Sequence, residues 1–277
     1  MRVFLAQINP TVGDISGNVA KIAKTLQMAN SERAELVVFP ELCLAGYPPN
    51  GLLGQSWFMK AVQQGTAELK ALSKQYPSLG FVCGVPTAAP QGGFYNSALL
   101  FHDGDVCFTQ HKTALRSDGK CDEECAFIPG PGLEVYAFRD EVLAITIGDD
   151  SFGELAEQGA TLAINLSASH FYLGKPQVWA AEIQSQAEQY KIPVVVVNQV
   201  GGQDELVFDG GSMFCDKSGQ LAAFSFFEEE LILVDTAGPA PKSAAVPDSD
   251  AAWIYAALKL GLADYMNKTG QKRAIIG

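Results

Sequence analysis

Three polar positions in this chain stand at the ends of apolar runs: Glu41 after VVFP, Lys112 after FTQH, and the turn Gly148-Asp149-Asp150 after ITI. Strand ends in α/β sheets are where reactive groups are usually assembled. A carboxylate and an ammonium held together there could act as a general base and as a stabiliser of a developing oxyanion. The same two residues could also form an ion pair that only secures a sheet edge, and residue types alone leave both readings open. The six cysteines are Cys43, Cys83, Cys107, Cys121, Cys125 and Cys215, of which only Cys121 and Cys125 lie close together. A single C-x-x-x-C with no second pair and no nearby histidine is a poor zinc signal, and no metal is expected. Cysteines scattered through a long chain argue against a disulfide framework and fit a reducing, cytoplasmic setting.

The elements that must deliver these residues can be read from hydrophobic spacing. Residues 3–8 form an apolar run closed by Asn9-Pro10 and read as a strand. Residues 18–28 carry Val19, Ile22, Ala23 and Leu26 at helical spacing. Residues 35–39 (ELVVF) read as a buried strand that ends at Pro40 and presents Glu41, and residues 58–75 as a second amphipathic helix. Strands are expected over 80–85, 98–101 and 106–110, the last two joined by the turn Asp103-Gly104, so that Lys112 follows the third. Residues 112–132 form a long charged loop with Gly and Pro, and a loop of this length inside a compact domain is functional or disordered. A strand over 143–147 runs into Gly148. Then come a helix over 152–158, a strand over 161–165, a helix over 177–190 and the apolar strand 193–198 (PVVVVN). Short strands near Val207 and over 212–215, 221–224 and 230–234 complete the pattern. Strands and helices alternate twice over, which predicts an α/β layered fold.

Composition sets the outer bounds. Of 277 residues 48% are apolar, enough for a sizeable core, and the formal net charge of -12 argues against a nucleic-acid-binding surface. Apolar runs such as 192–197 fall far short of the roughly 20 residues of a membrane-spanning helix. The start MRVFLAQINP lacks the layout of a secretory signal. Residues 1–235 read as one domain, 236–250 as a Pro-, Ala- and Ser-rich linker, and 251–277 as a helix and the start of a strand.

Four strings together, VVFPELCLAGYPP, the His111-Lys112 pair, NLSASHFYLGK and VNQVGGQDELVFDGGS, resemble the nitrilase (carbon–nitrogen hydrolase) superfamily. More narrowly they are similar to the N-terminal glutaminase domain of glutamine-dependent NAD synthetase, over essentially the whole chain. The resemblance implies a nitrilase-like four-layer α-β-β-α sandwich and glutamine hydrolysis in NAD biosynthesis. It also implies a Glu base, a Lys that stabilises the tetrahedral intermediate and a Cys nucleophile. Sulfur suits that role because a partly ionised thiol attacks a carbonyl well near neutral pH. Glu41 matches the base, Lys112 the lysine and Glu123 the superfamily's auxiliary carboxylate, while Ser167, Ser169 and Lys175 match pocket positions. The family's turn reads I-C-E-D and this chain reads Ile147-Gly148-Asp149-Asp150, so the resemblance puts Gly148 where the nucleophile belongs.

The departures extend beyond that position. In the loop after Lys112, Asp118 replaces the tyrosine that would help seat glutamine, Cys121 an aromatic residue and Cys125 an arginine. After the S-A-S motif His170 replaces a proline, and Pro176, Gln177 and Val178 replace basic residues. The family's C-terminal helix leads into a strand and an S-G-G-x-D-S loop that binds ATP. This sequence stops at Gly277 before such a loop, so it is not expected to make NAD alone, and no cofactor is expected.

Three functions fit these residues. The first is a glutaminase-type domain without activity, serving assembly beside a synthetase domain or subunit. The second is a binding module that holds a small amide or acid through Glu41, Lys112 and Asp118. The third is an amidase with a displaced nucleophile, for which Cys121 and Cys125 are the candidates. By analogy with the superfamily a homo-oligomer is expected, with no nucleic-acid and no membrane partner.

Overall fold

Two runs of strand, helix and strand, each with an apolar strand at its centre, build two six-stranded sheets. The computed structural model describes residues 1–117 and 123–275; Asp118, Cys121 and the last two residues of the expected C-terminal strand lie outside the described residues. The first half runs β1 (Arg2–Gln7), α1 (Ile15–Ser31), β2 (Leu36–Val38), α2 (Ser56–Gln75), β3 (Gly80–Ala88), β4 (Phe94–His102) and β5 (Asp105–His111). The second runs α3 (Glu123–Ala126), β6 (Val135–Phe138), β7 (Glu141–Ile147), α4 (Gly153–Glu157), β8 (Leu162–Ser167), α5 (Lys175–Tyr190) and β9 (Val194–Asn198). After these come β10 (Val200–Gln203), β11 (Leu206–Asp209), β12 (Met213–Cys215), β13 (Leu221–Ala223), β14 (Glu230–Asp235) and α6 (Asp250–Thr269).

The first sheet has the order β14-β1-β2-β3-β4-β5 and the second β13-β12-β9-β8-β7-β6. Each has a parallel centre, β1-β2-β3 in one and β7-β8-β9 in the other, with antiparallel strands outside it. Strands buried on both faces read as continuous apolar runs, which is why LVV and VVVVN show no alternation. Val3, Leu5, Leu36 and Val38 of the first sheet face Ile145, Ile147, Ile164 and Val195 of the second. The opposite face of the first sheet packs under Val19, Ile22 and Leu26 of α1 and Phe58, Val62 and Leu69 of α2. Leu155 of α4 and Ile183 and Ala187 of α5 cover Ala163, Val194 and Val196 of the second sheet. The result is the four-layer α-β-β-α sandwich of the nitrilase-like fold. Each fully buried aliphatic side chain on these faces contributes about 1.5–3 kcal/mol.

Several boundaries differ from the sequence reading for local reasons. Helix α1 begins three residues earlier than its apolar spacing indicates, because Asp14 caps it by accepting from the Gly17 N–H at 3.0 Å. Helix α5 begins at Lys175 rather than at residue 177, since Pro176 falls in its first turn, where a missing N–H costs nothing. The loop after Lys112 contains the short helix α3.

The C-terminal region differs more. Residues 271–275 carry no regular structure, and Ile275 is 99% exposed, so the described part of RAIIG pairs with no sheet. Helix α6 is not a detached appendage. Its Asp264 carboxylate accepts from Asn9 Nδ2 at 2.6 Å and from the Gly202 N–H of β10 at 2.7 Å, and its Lys268 ammonium donates to the Pro10 and Gly202 carbonyls. Trp253 lies parallel to Phe171 with ring centroids 6.1 Å apart. No helix among the described residues is long and apolar enough to cross a membrane.

Candidate active site

Strand β2 delivers Glu41 through Phe39 and Pro40 into a sharp turn. Leu42 takes a left-handed φ of 47°, and its carbonyl accepts from the Ala45 and Gly46 N–H groups at 3.0 and 2.8 Å. The turn presses on β3 so closely that a Cβ at Gly84 would stand 2.1 Å from the Leu42 nitrogen. Only glycine fits there. Glu41 is 2% exposed, and its carboxylate is fixed from three sides. Asn96 Nδ2 and Lys112 Nζ donate to Oε1 at 2.6 and 2.8 Å, and the Ala168 N–H donates to Oε2 at 2.9 Å.

Lys112 follows β5, where its N–H donates to the Asn96 carbonyl at 2.8 Å and its own carbonyl accepts from Gly130. Its ammonium lies between two carboxylates, with Glu41 Oε1 at 2.8 Å and Glu123 Oε1 at 2.9 Å. Burial pushes this ammonium toward the neutral form, but the charges of Glu41 and Glu123 more than reverse that effect and hold it above its ordinary value. Lys112 therefore stays protonated and able to donate. Glu123, the first residue of α3, also accepts from the Tyr47 hydroxyl at 3.2 Å and the Arg116 N–H at 2.8 Å. Burial, followed by the charge of Glu41, raises its carboxyl, against the pull of Lys112.

Strand β7 ends at Ile147 and turns at Gly148, whose φ of 58° is left-handed. The Gly148 N–H donates to the Leu166 carbonyl at 2.8 Å, and its carbonyl accepts from Asn165 Nδ2 at 3.0 Å. A Cβ built there would stand 2.6 Å from Lys112 Nζ and 3.5 Å from Glu41 Oε2. The next two residues point apart. Asp150 is buried and accepts from Thr113 Oγ1 and the Ala114 N–H, both at 2.7 Å, while Asp149 takes both arms of Arg116 at 2.7 and 2.9 Å. Burial raises the Asp150 carboxyl.

These strand ends open into a cavity of about 480 Å³. Of the residues to which the sequence points, Glu41, Lys112, Gly148, Ser167, Ser169 and Lys175 line it together. Glu123 is not among the lining residues; it sits behind Lys112. Asp118, expected at the substrate wall, lies outside the described residues, as does Cys121. Cys125, on α3, is exposed and does not line the cavity. Ser167 Oγ donates to Asn165 Oδ1 at 2.6 Å, and Ser169 presents its N–H to Asn198 Oδ1 at 2.8 Å. Lys175 is itself buried, donating to Asp209 and, at 3.0 Å, to the Ser169 carbonyl. Burial lowers the Lys175 ammonium and raises the Asp209 carboxyl. Lys175 therefore braces the wall and presents no free charge to a ligand.

Tyr47, Tyr172 and Trp179 also line the cavity, and Asn96 holds Glu41, although none is among the residues to which the sequence points. Tyr47 had a local signal in GYPP, directly after the Glu41 turn; the others are brought in by strand pairing and by the first turns of α5. Among the described residues no group of three or more His, Cys, Asp or Glu is placed to hold a metal ion.

Residues 2–237 match the carbon–nitrogen hydrolase family. The chain is 33% identical over 304 residues to a glutamine-dependent NAD(+) synthetase from Synechocystis sp., covering 99% of this chain and 54% of that one. With the synthetase of Thermotoga maritima it shares 35% over 85% of this chain and 42% of that one. It thus spans about half the length of the curated relatives it matches. Among solved structures, a glutamine-dependent NAD+ synthetase from Acinetobacter baumannii superposes with a TM-score of 0.89 at 29% identity, over 97% of this chain and 52% of that chain. An amidase from Nesterenkonia sp. AN1, seen with acrylamide added to its active-site cysteine, superposes at 0.75 with 25% identity over 85% of this chain and 92% of that chain. By sequence and by fold, the chain belongs to the carbon–nitrogen hydrolase family.

Proposed function

We propose that this is a glutaminase-type domain, related to the one in glutamine-dependent NAD synthetases, that no longer hydrolyses glutamine. One observation carries the reading: the position facing both Lys112 Nζ and Glu41 Oε2 is a glycine. In an amide hydrolysis of this type Glu41 would take the proton of a nucleophile held there, and the Lys112 ammonium would stabilise the oxyanion formed by its attack. Gly148 supplies no atom for that attack. Removing a covalent nucleophile costs several powers of ten in rate and leaves only binding and oxyanion contacts. The domain's role is then one of assembly beside a synthetase domain or subunit that uses free ammonia, in a reducing, cytoplasmic setting.

The test is ammonia release from glutamine. Turnover should be absent, and Gly148→Cys alone should not restore it, because the loop after Lys112 has also changed and because Lys112 occupies the space a side chain would need. Turnover by the unmodified chain would overturn the reading. If that turnover were lost in Cys121→Ser or Cys125→Ser, a displaced thiol would be its source.

The polar lining of the 480 Å³ cavity favours a second reading, a binding module for a small amide or acid. Mass action gives its signature, since a ligand at 100 times its Kd stabilises the folded chain by about 2.7 kcal/mol. A thermal-shift screen in which one amide or acid stabilises well beyond glutamine would support it.

A further inference from the structure

A second, smaller cavity lies on the far side of the wall that Lys175 and Trp179 present to the main one. Both residues line both cavities, and the smaller one holds about 170 Å³ between the start of α5 and the paired strands β12 and β13. Its character is different. Trp179, Met213, Ala223 and Phe226 give it apolar walls, and its polar end is the buried Asp209. Met213 and Ala223 are partners across β12 and β13, so a large side chain stands beside a small one and leaves room for a guest. Phe226 is fixed from two sides. Its ring fills the space that a Cβ at Gly211 would take, and it meets Trp253 of α6 edge-on with ring centroids 4.7 Å apart. The walls are thus formed in advance, as in most small-molecule sites.

Asp209 ends β11 and is fully buried. Its Oδ1 accepts from Lys175 and, at 3.4 Å, from Asn198 Nδ2. Its Oδ2 has no hydrogen-bond partner among the described residues. A carboxylate accepts through both oxygens, and a buried oxygen without a donor is costly. The surroundings decide which group would satisfy it. An acceptor would meet an acceptor. A second cation would join an acid whose charge Lys175 already balances, close to an ammonium that lies 5.4 Å from the centre of the Trp179 ring. A neutral donor suffers neither penalty. Ring faces and a thioether favour an aromatic body behind that donor, and a cavity of about 150 Å³ is enough for benzene.

We propose that this cavity binds a small neutral phenol, with its ring among Trp179, Met213 and Phe226 and its hydroxyl donating to Asp209 Oδ2. The site is separate from the cavity at Glu41 and Lys112, so it stands whether or not that cavity acts on an amide.

Isothermal titration calorimetry of the 277-residue chain with phenol, toluene and anisole tests this. Phenol should bind about tenfold or more tightly than toluene, which has the same size but no donor, and than anisole, which only accepts. Ala223→Phe fills the cavity from β13 and should abolish phenol binding; Ala180→Phe fills it from α5 and serves if the first variant does not fold. In Asp209→Asn the amide oxygen can keep Lys175 while the amide nitrogen donates into the cavity, so the preference for phenol over anisole should vanish. Thermal unfolding verifies that each variant folds, and if none does, the ligand series on the unmodified chain decides. Phenol that does not bind, toluene or anisole bound as tightly as phenol, or phenol binding that survives a folded filling variant would overturn the proposal. So would a folded Asp209→Asn that still prefers phenol to anisole tenfold, since the hydroxyl would then be meeting another acceptor.

Discussion

The two strand ends that meet at the cavity are anchored in different ways. At the end of β2, Glu41 is bound through its side chain to three donors, and one of them, Lys112, is bound in turn to Glu123. At the end of β7, Gly148 is bound only through its backbone, to Leu166 and Asn165. Losing the Glu41 side chain would leave the buried Asn96 amide and the Ala168 N–H without their acceptor and Lys112 with Glu123 as its remaining carboxylate; at Gly148 no such penalty exists, because no side-chain contact is made there. Charged residues of such a site thus have a structural reason to be kept that does not depend on any chemistry they perform. Their retention is not by itself a sign of activity.

The contrast can be broken at several points. Lys112→Ala should have the largest effect, since it leaves two carboxylates buried without a cation; breaking such a buried pair costs about 3–5 kcal/mol. Denaturant unfolding would measure it, and a loss under 1 kcal/mol would mean that the cluster is not holding the fold. At the other strand end, Gly148→Ala should cost about 1–3 kcal/mol, because a left-handed φ is unfavourable for alanine and the new Cβ crowds Lys112 Nζ.

The pH dependence sharpens the comparison further. The Glu123 carboxyl is raised in the folded chain, first by burial and then by Glu41, so between its ordinary and folded values the folded state binds more protons than the unfolded one. That contribution to stability is complete below the ordinary carboxylate value of about 4.3 and is lost as pH rises through the folded value. Thermal unfolding from pH 4 to 8 should therefore fall with a slope that Glu123→Gln flattens. An unchanged slope would assign the dependence to Asp150 or Asp209, which share the direction. The smallest effect should come from Arg116→Ala. Its pair with Asp149 is partly open to solvent and contributes no more than about 1 kcal/mol, so unfolding should barely register its loss.

Much of this arrangement is legible in the sequence, and unevenly so. Glu41, Lys112 and Gly148 each follow an apolar run that ends at a proline, a charge or a tight turn, and such runs become strands whose ends share one side of a sheet. The sandwich followed from buried strands alternating with helices. What the chain could not display locally was pairing over distance. Asn96 reaches Glu41 from 55 positions away, and Arg116 reaches Asp149 from 33. Strand β6 was missed because it is a four-residue edge strand with little alternation. The packing of helix α6 on the body is not legible either, because apolar residues on more than one of its faces give no sign of which side the body uses.

The left-handed turn at Gly148 has a consequence for the substitutions open to this sequence. On the backbone this chain adopts, glycine at 148 takes a left-handed φ without strain and leaves the space beside the Lys112 ammonium open. Any other residue must introduce strain and displace Lys112 before any benefit of a new side chain is felt. The turn therefore acts as a filter on substitution: a side chain enters position 148 only together with compensating changes nearby.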